Sequence, residues 1–164
     1  MRYIDLTLTL KEEMPGVRFE TAKTREKDGW NARNLHLYSH VGTHIDAPIH
    51  YEVSDKTIDD YPPERFFTTC YVVDLEGISA GKEISVADLG DNVHKVKSGE
   101  GLLFKTGWSR FLGTDQYRNA LPGISKELAH WCAEKGITVV GVEPPSVADV
   151  NNIPLVSEIH TILL

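Results

Sequence analysis

Residues 40–50 read HVGTHIDAPIH, a run that holds His40, His44, Asp46 and His50 together with Gly42 and Pro48. Whether this run is helical or extended settles what scaffold the rest of the chain must supply. In a helix, His40 and His44 would share one face, as the two histidines of HExxH metalloproteases do. The residues between them argue otherwise. Gly42 and Pro48 oppose a helix interior, Val41, Thr43 and Ile45 are β-branched, and no glutamate follows His40. The composition predicts a strand that ends near His40, a turn through Gly42-Thr43, and an extended loop in which His44 and Asp46 point the same way. Imidazole nitrogens and a carboxylate are the donors that divalent zinc or manganese prefers. Crowded without a cation, these polar side chains would compete for hydrogen-bond partners. His36, on the strand before the run, is read as lying outside the ligand set.

Outward from this run, the strand over Asn34–Ser39 should turn Leu35 and Leu37 one way and His36 and Tyr38 the other, and Tyr3–Leu8 alternates similarly. Both are expected to be strands with one buried face. Tyr71–Leu75, Leu102–Lys105 and Ile137–Val142 are short apolar or β-branched runs that suit inner strands. Ser125–Glu134 has the marks of a helix: a serine N-cap, Glu127 in the first turn, an apolar stripe through Leu128, Trp131 and Cys132, and Gly136 as a stop. Ser85 with Asp88 begins a second helix that Gly90 weakens. Residues 52–67, with Tyr61-Pro62-Pro63, predict an irregular surface excursion that walls a pocket. Strands and helices interleave, so the fold class is α/β, with a mixed sheet flanked by helices. No repeat or linker divides residues 1–164, which are expected to form one domain.

The bulk properties narrow the partners. A net charge of −7 excludes a general affinity for phosphate backbones or anionic membranes, so neither nucleic acid nor membrane is expected. The acidic N-terminal residues are unlike a secretory signal and no apolar run is long enough to span a bilayer, which makes a cytoplasmic location the expectation. Cys70 and Cys132, far apart, form neither a disulfide framework nor a CxxC knuckle and are read as plain buried thiols.

HVGTHIDAPIH resembles the HxGTHxDxPxH signature of the cyclase family of metal-dependent hydrolases, which includes kynurenine formamidases and isatin hydrolases. YIDLTLTL at the start, LLFKTGWSRF, PGISKELAHWCAEKGITVVGVEPPSV and the final IHTILL also look like family landmarks in the family's order. The resemblance covers nearly the whole chain. It implies a swivelling β/β/α domain, a homodimer or larger homo-oligomer, and one or two divalent ions, zinc first and manganese as the alternative. It also implies that His40, His44, Asp46 and His160 bind metal and that His50 is the catalytic acid/base. The implied reaction is hydrolysis of a small-molecule aryl formamide or cyclic amide, such as N-formylkynurenine or isatin, by metal-activated water. Trp108, Phe111 and Trp30 are the aromatic candidates for contact with an aryl substrate.

Two departures are visible. VEPPSVAD carries Glu143 where the family has an aspartate, which leaves the roles of Ser146 and Asp149 open. The family pattern also continues beyond its HxILL segment to a strand bearing a further metal-binding glutamate, whereas the sequence here ends at Leu164. Glu158 would share a face with His160 in a strand, but it is not assigned that duty. The alternative function is therefore a truncated, catalytically impaired metal-binding homologue that serves as a small-molecule-binding or assembly module. A third class, an interaction domain with structural zinc, fits less well because such sites tend to be closed and rich in cysteine.

Overall fold

A computed structural model describes residues 4–164. The chain divides into two units, one ending at Asp46 and one running from Ala47 to Leu164.

The first unit is built on an antiparallel hairpin of β1 (Val17–Lys23) and β2 (Ala32–Leu37), joined through the single helical turn α1 (Arg25–Asp28). Val17 pairs with Leu37 and Phe19 with Leu35. Thr24 caps α1 through its hydroxyl, and Gly29 at φ 84° ends it. The strand expected over Asn34–Ser39 is present, shifted to begin at Ala32, but its buried face is not. Leu35 and Leu37 stay 62% and 44% exposed, because a two-stranded ribbon has no third strand or helix of its own to cover either side. The strand expected over Tyr3–Leu8 does not form in residues 4–8, and Tyr3 lies outside the described residues. The Asp5 carboxylate instead accepts hydrogen bonds from the Thr7 amide at 2.9 Å and the Thr7 hydroxyl at 2.6 Å. Such local side-chain bonding competes with ladder pairing.

The second unit opens with a 3-10 turn at Pro48–Tyr51 and the irregular stretch expected over residues 52–67, which holds two further 3-10 turns, Ile58–Asp60 and Pro63–Phe66. Then follow β3 (Cys70–Asp74), β4 (Glu83–Ile84), α2 (Asn92–Lys95), β5 (Gly101–Lys105), α3 (Asp115–Asn119), β6 (Gly123–Ile124), α4 (Lys126–Lys135), β7 (Val139–Val142) and α5 (Ile153–Leu163). The three runs expected to be inner strands form one parallel sheet in the order β3-β5-β7. Strands β4 and β6 form a second parallel pair. The α/β class holds, but among the described residues the parallel and antiparallel pairings occupy separate sheets rather than one mixed sheet.

Helix α4 matches its expected signals. The Ser125 hydroxyl accepts from the Leu128 amide at 3.1 Å, and Gly136 leaves the helix in the left-handed region at φ 72°. The helix expected after Ser85 is split by Gly90 (φ 53°) into a 3-10 turn over Val86–Leu89 and the short α2. Val73, Leu102 and Phe104 of the sheet pack with Leu128, Ala129 and Cys132 of α4 and Val156 and Ile159 of α5 to make the core. Each large apolar side chain buried there contributes about 1.5–3 kcal/mol. Cys132 lies in this core, where burial pushes its thiol up to about 12.

Helix α5 differs from the strand considered for Glu158 and His160. Asn152 caps it by accepting from the Leu155 amide at 3.2 Å, a proline sits in its first turn, and Val156, Ile159 and His160 share its buried face. Two residues apart on a helix, Glu158 and His160 point in different directions. Glu158 pairs instead with Lys126 of α4 at 2.5 Å.

Candidate metal centre

In the first unit, the chain leaves β2 at Leu37 and makes a turn in which the Val41 amide donates to the Tyr38 carbonyl at 3.0 Å. Gly42 then takes φ 63°, a conformation that a residue with a side chain adopts only at a cost, and residues 44–47 run on without regular structure. This is the strand, turn and loop expected, with the strand stopping short of His40. The Thr43 hydroxyl accepts from the Leu8 amide at 2.9 Å, which ties the turn to the N-terminal stretch.

The path gathers His40, His44 and Asp46, with one ligand atom from each lying within 4.8 Å of the others. His40 Nδ1 is 2.8 Å and His44 Nε2 3.5 Å from Asp46 Oδ1. The two imidazoles meet edge to face at 5.1 Å. Ligands held about 2.0–2.1 Å from a tetrahedral ion stand roughly 3.3–3.4 Å apart, and the two measured separations bracket that value. The nitrogen and oxygen donors therefore fit a divalent cation in both chemistry and spacing. His44 Nδ1 lies 3.0 Å from the Gly42 carbonyl, which can only accept, so Nδ1 carries the proton and Nε2 is directed to the cluster. The hydrogen bond with Asp46 raises the pKa of His44, and partial burial opposes the rise. His36 turns elsewhere, 3.1 Å from Glu20 on the neighbouring strand.

The second unit places the other two histidines of the predicted site side by side. His50 sits in the 3-10 turn Pro48–Tyr51 and His160 on the buried face of α5, with ring centroids 5.7 Å apart. The Val156 carbonyl accepts from His160 Nδ1 at 2.6 Å, so Nδ1 carries the proton. Tyr51 packs on both rings: it stacks on His160 at 4.3 Å and meets His50 at 4.6 Å. Tyr51 has no assigned role from sequence, where its only signal is its place directly after His50.

The aromatic candidates are dispersed. Trp108 is buried, its indole donating to the Tyr117 carbonyl at 3.0 Å, and Phe111 packs on it at 4.7 Å, so both serve the interior of the second unit. Trp30 is exposed in the first unit. The Glu143 carboxylate accepts from the buried Thr106 hydroxyl at 3.2 Å and the Ser109 amide at 3.4 Å, while its carbonyl accepts from Tyr117 at 3.0 Å. This carboxylate ties the loop after β5 to the end of β7. Among the described residues, no helix is long and apolar enough to cross a membrane.

Two imidazoles and a carboxylate held on a turn of an α/β chain define a candidate site for a divalent metal. The chain belongs to the cyclase family, whose model, described as "Putative cyclase", matches residues 4–149. It is 30% identical over 153 residues to the kynurenine formamidase of Erythrobacter litoralis, covering 89% of this chain and 67% of that one. With the kynurenine formamidase of Salinibacter ruber it is 30% identical over 125 residues, covering 76% of this chain and 57% of the relative. The chain thus spans roughly two thirds or less of the length of these two relatives. Its fold is shared with isatin hydrolase A from Labrenzia aggregata, solved bound to benzyl benzoate, at a TM-score of 0.83 and 22% identity, covering 97% of this chain and 76% of the other. An isatin hydrolase bound to the product analogue thioisatinate matches at a TM-score of 0.75 and 18% identity, covering 94% and 70%.

Proposed function

We propose that this chain is a metal-dependent hydrolase that cleaves the amide C–N bond of an aryl formamide or cyclic amide, a substrate like N-formylkynurenine or isatin. The observation that carries this reading is the His40–His44–Asp46 cluster, with its donors at the spacing a divalent ion requires. The names of the relatives support the reaction class. His40, His44 and Asp46 would hold the ion, zinc or manganese, and the family resemblance adds His160 as a further ligand. When bound, such an ion lowers the pKa of water toward about 7 and polarises a carbonyl, so hydrolysis can proceed at neutral pH. His50 is proposed to carry the proton to the leaving nitrogen, for which an imidazole is suited near neutrality. No covalent bond to the protein is needed. The reading includes assembly as a homodimer or larger homo-oligomer.

The test is metal analysis of the purified protein together with hydrolysis of N-formylkynurenine and isatin. Wild type should hold zinc or manganese and turn over at least one substrate. His44→Ala should lose metal and activity together, whereas His50→Ala should keep the metal and lose about 100-fold or more in rate. A metal-replete protein inert toward both substrates, with His50→Ala indistinguishable from wild type, would refute the hydrolase and favour a small-molecule-binding module.

A further inference from the structure

We propose that Tyr51 is a positioning residue for the proposed hydrolase, holding the imidazoles of His160 and His50 in the orientations the site requires. His160 donates from Nδ1 to the Val156 carbonyl at 2.6 Å. That hydrogen bond fixes which ring nitrogen carries the proton, while packing against the ring face fixes the tilt of its plane. Tyr51 supplies that packing: its ring lies 4.3 Å from that of His160 with only 23° between the planes. The same phenol meets His50 at 4.6 Å and 75°, edge to face, so one side chain packs on both imidazoles. The contact also suits a metal-bound imidazole. Coordination at Nε2 draws electron density from the ring, and the negative face of an aromatic attracts such a partner.

The backbone keeps Tyr51 in place. It is the last residue of the 3-10 turn Pro48–Tyr51, and Glu52 after it is the one non-glycine residue with positive φ among the described residues, at 53°. The Glu52 amide donates to the Ile49 carbonyl at 3.2 Å and the Val53 amide to that of Pro48 at 3.1 Å, closing the turn on itself. A left-handed conformation at a glutamate is sparsely populated and persists only where its surroundings enforce it. Here it sits directly after the residue that packs on both histidines.

This inference rests on the metal-hydrolase reading, and the experiment separates the two. Zinc affinity would be measured by competition with a chromogenic chelator for wild type, Tyr51→Phe and Tyr51→Leu, with circular dichroism to confirm folding and nitrogen NMR of 15N-histidine-labelled apoprotein to read the His160 ring. Leucine keeps apolar bulk without an aromatic face, and phenylalanine keeps the face without the hydroxyl. Tyr51→Phe should match wild type. Tyr51→Leu should fold, bind zinc about 10-fold or more weakly, as loss of a partner that orients a ligand does, and show His160 ring signals shifted and broadened by exchange between ring orientations. Leucine and wild-type proteins with equal zinc affinity and identical His160 signals would overturn the role of Tyr51, as would a phenylalanine variant as impaired as the leucine one. A wild type that binds neither zinc nor manganese would overturn the metal reading itself.

Discussion

At the scale of single residues, Gly42 joins the two halves of the candidate metal turn. Its φ of 63° lets the chain reverse between His40 and His44, and its carbonyl fixes the proton on His44 Nδ1. A Cβ at this position would come 2.7 Å from Leu10 Cδ2, the end of a flexible side chain that can give way. The cost of Gly42→Ala should therefore be conformational, about 1 kcal/mol of stability for a left-handed alanine. Because relief of that strain moves both imidazoles, zinc affinity should fall about tenfold; urea titration and chelator competition measure the two effects separately. These residues were legible in the sequence because donor types, glycine and proline stand close together in HVGTHIDAPIH. Tyr51 was not, since an aromatic beside a histidine becomes informative only once α5 brings His160 to its face.

Among the elements, the turn that begins at Ser85 shows how a cap outlasts the helix it was expected to start. Asp88 accepts from the Ser85 amide at 2.8 Å and its hydroxyl at 2.7 Å and pairs with Lys82 at 3.0 Å. The Ser85 amide bond first, and then the Ser85 hydroxyl and Lys82, hold the Asp88 carboxyl below its ordinary 3.8. A carboxylate with a lowered folded pKa stabilises the protein above its unfolded value, and that contribution is lost as pH falls through the folded value. Asp88→Asn should be less stable than wild type by about 1 kcal/mol at pH 7, with the gap closing below about pH 4; thermal melts of both proteins across pH 3–7 would show it. Helix α4 and the parallel strands were legible because capping, periodicity and apolar runs agree there. Elsewhere the signals were local and tertiary structure decided: Gly90 broke one helix in two, Asp5 drew the N-terminal stretch out of a sheet, and α5 took a segment in which Glu158 and His160 had been considered for one strand face.

For the molecule as a whole, metal and stability should be linked. A cation that binds only the folded chain stabilises it by about 2.7 kcal/mol at a free concentration of 100 Kd, so zinc should raise Tm and a chelator should reverse the rise. His44→Ala should abolish the response, and differential scanning calorimetry with and without zinc is the check. The α/β class was legible from interleaved signals, whereas the division into two units was not, because it arises from which contacts form rather than from any linker in the sequence.

The compactness of the His40–His44–Asp46 turn bears on the denatured ensemble. These three candidate ligands lie within seven consecutive residues, so closing the loop between them costs little entropy even in an unfolded chain. The urea-unfolded protein should retain weak zinc affinity through this segment, and the gain in Tm should fall short of what the native affinity alone would produce. The share of metal affinity that depends on folding should then rest with geometry the unfolded chain cannot keep: the left-handed Gly42 and the proton it directs to His44 Nδ1.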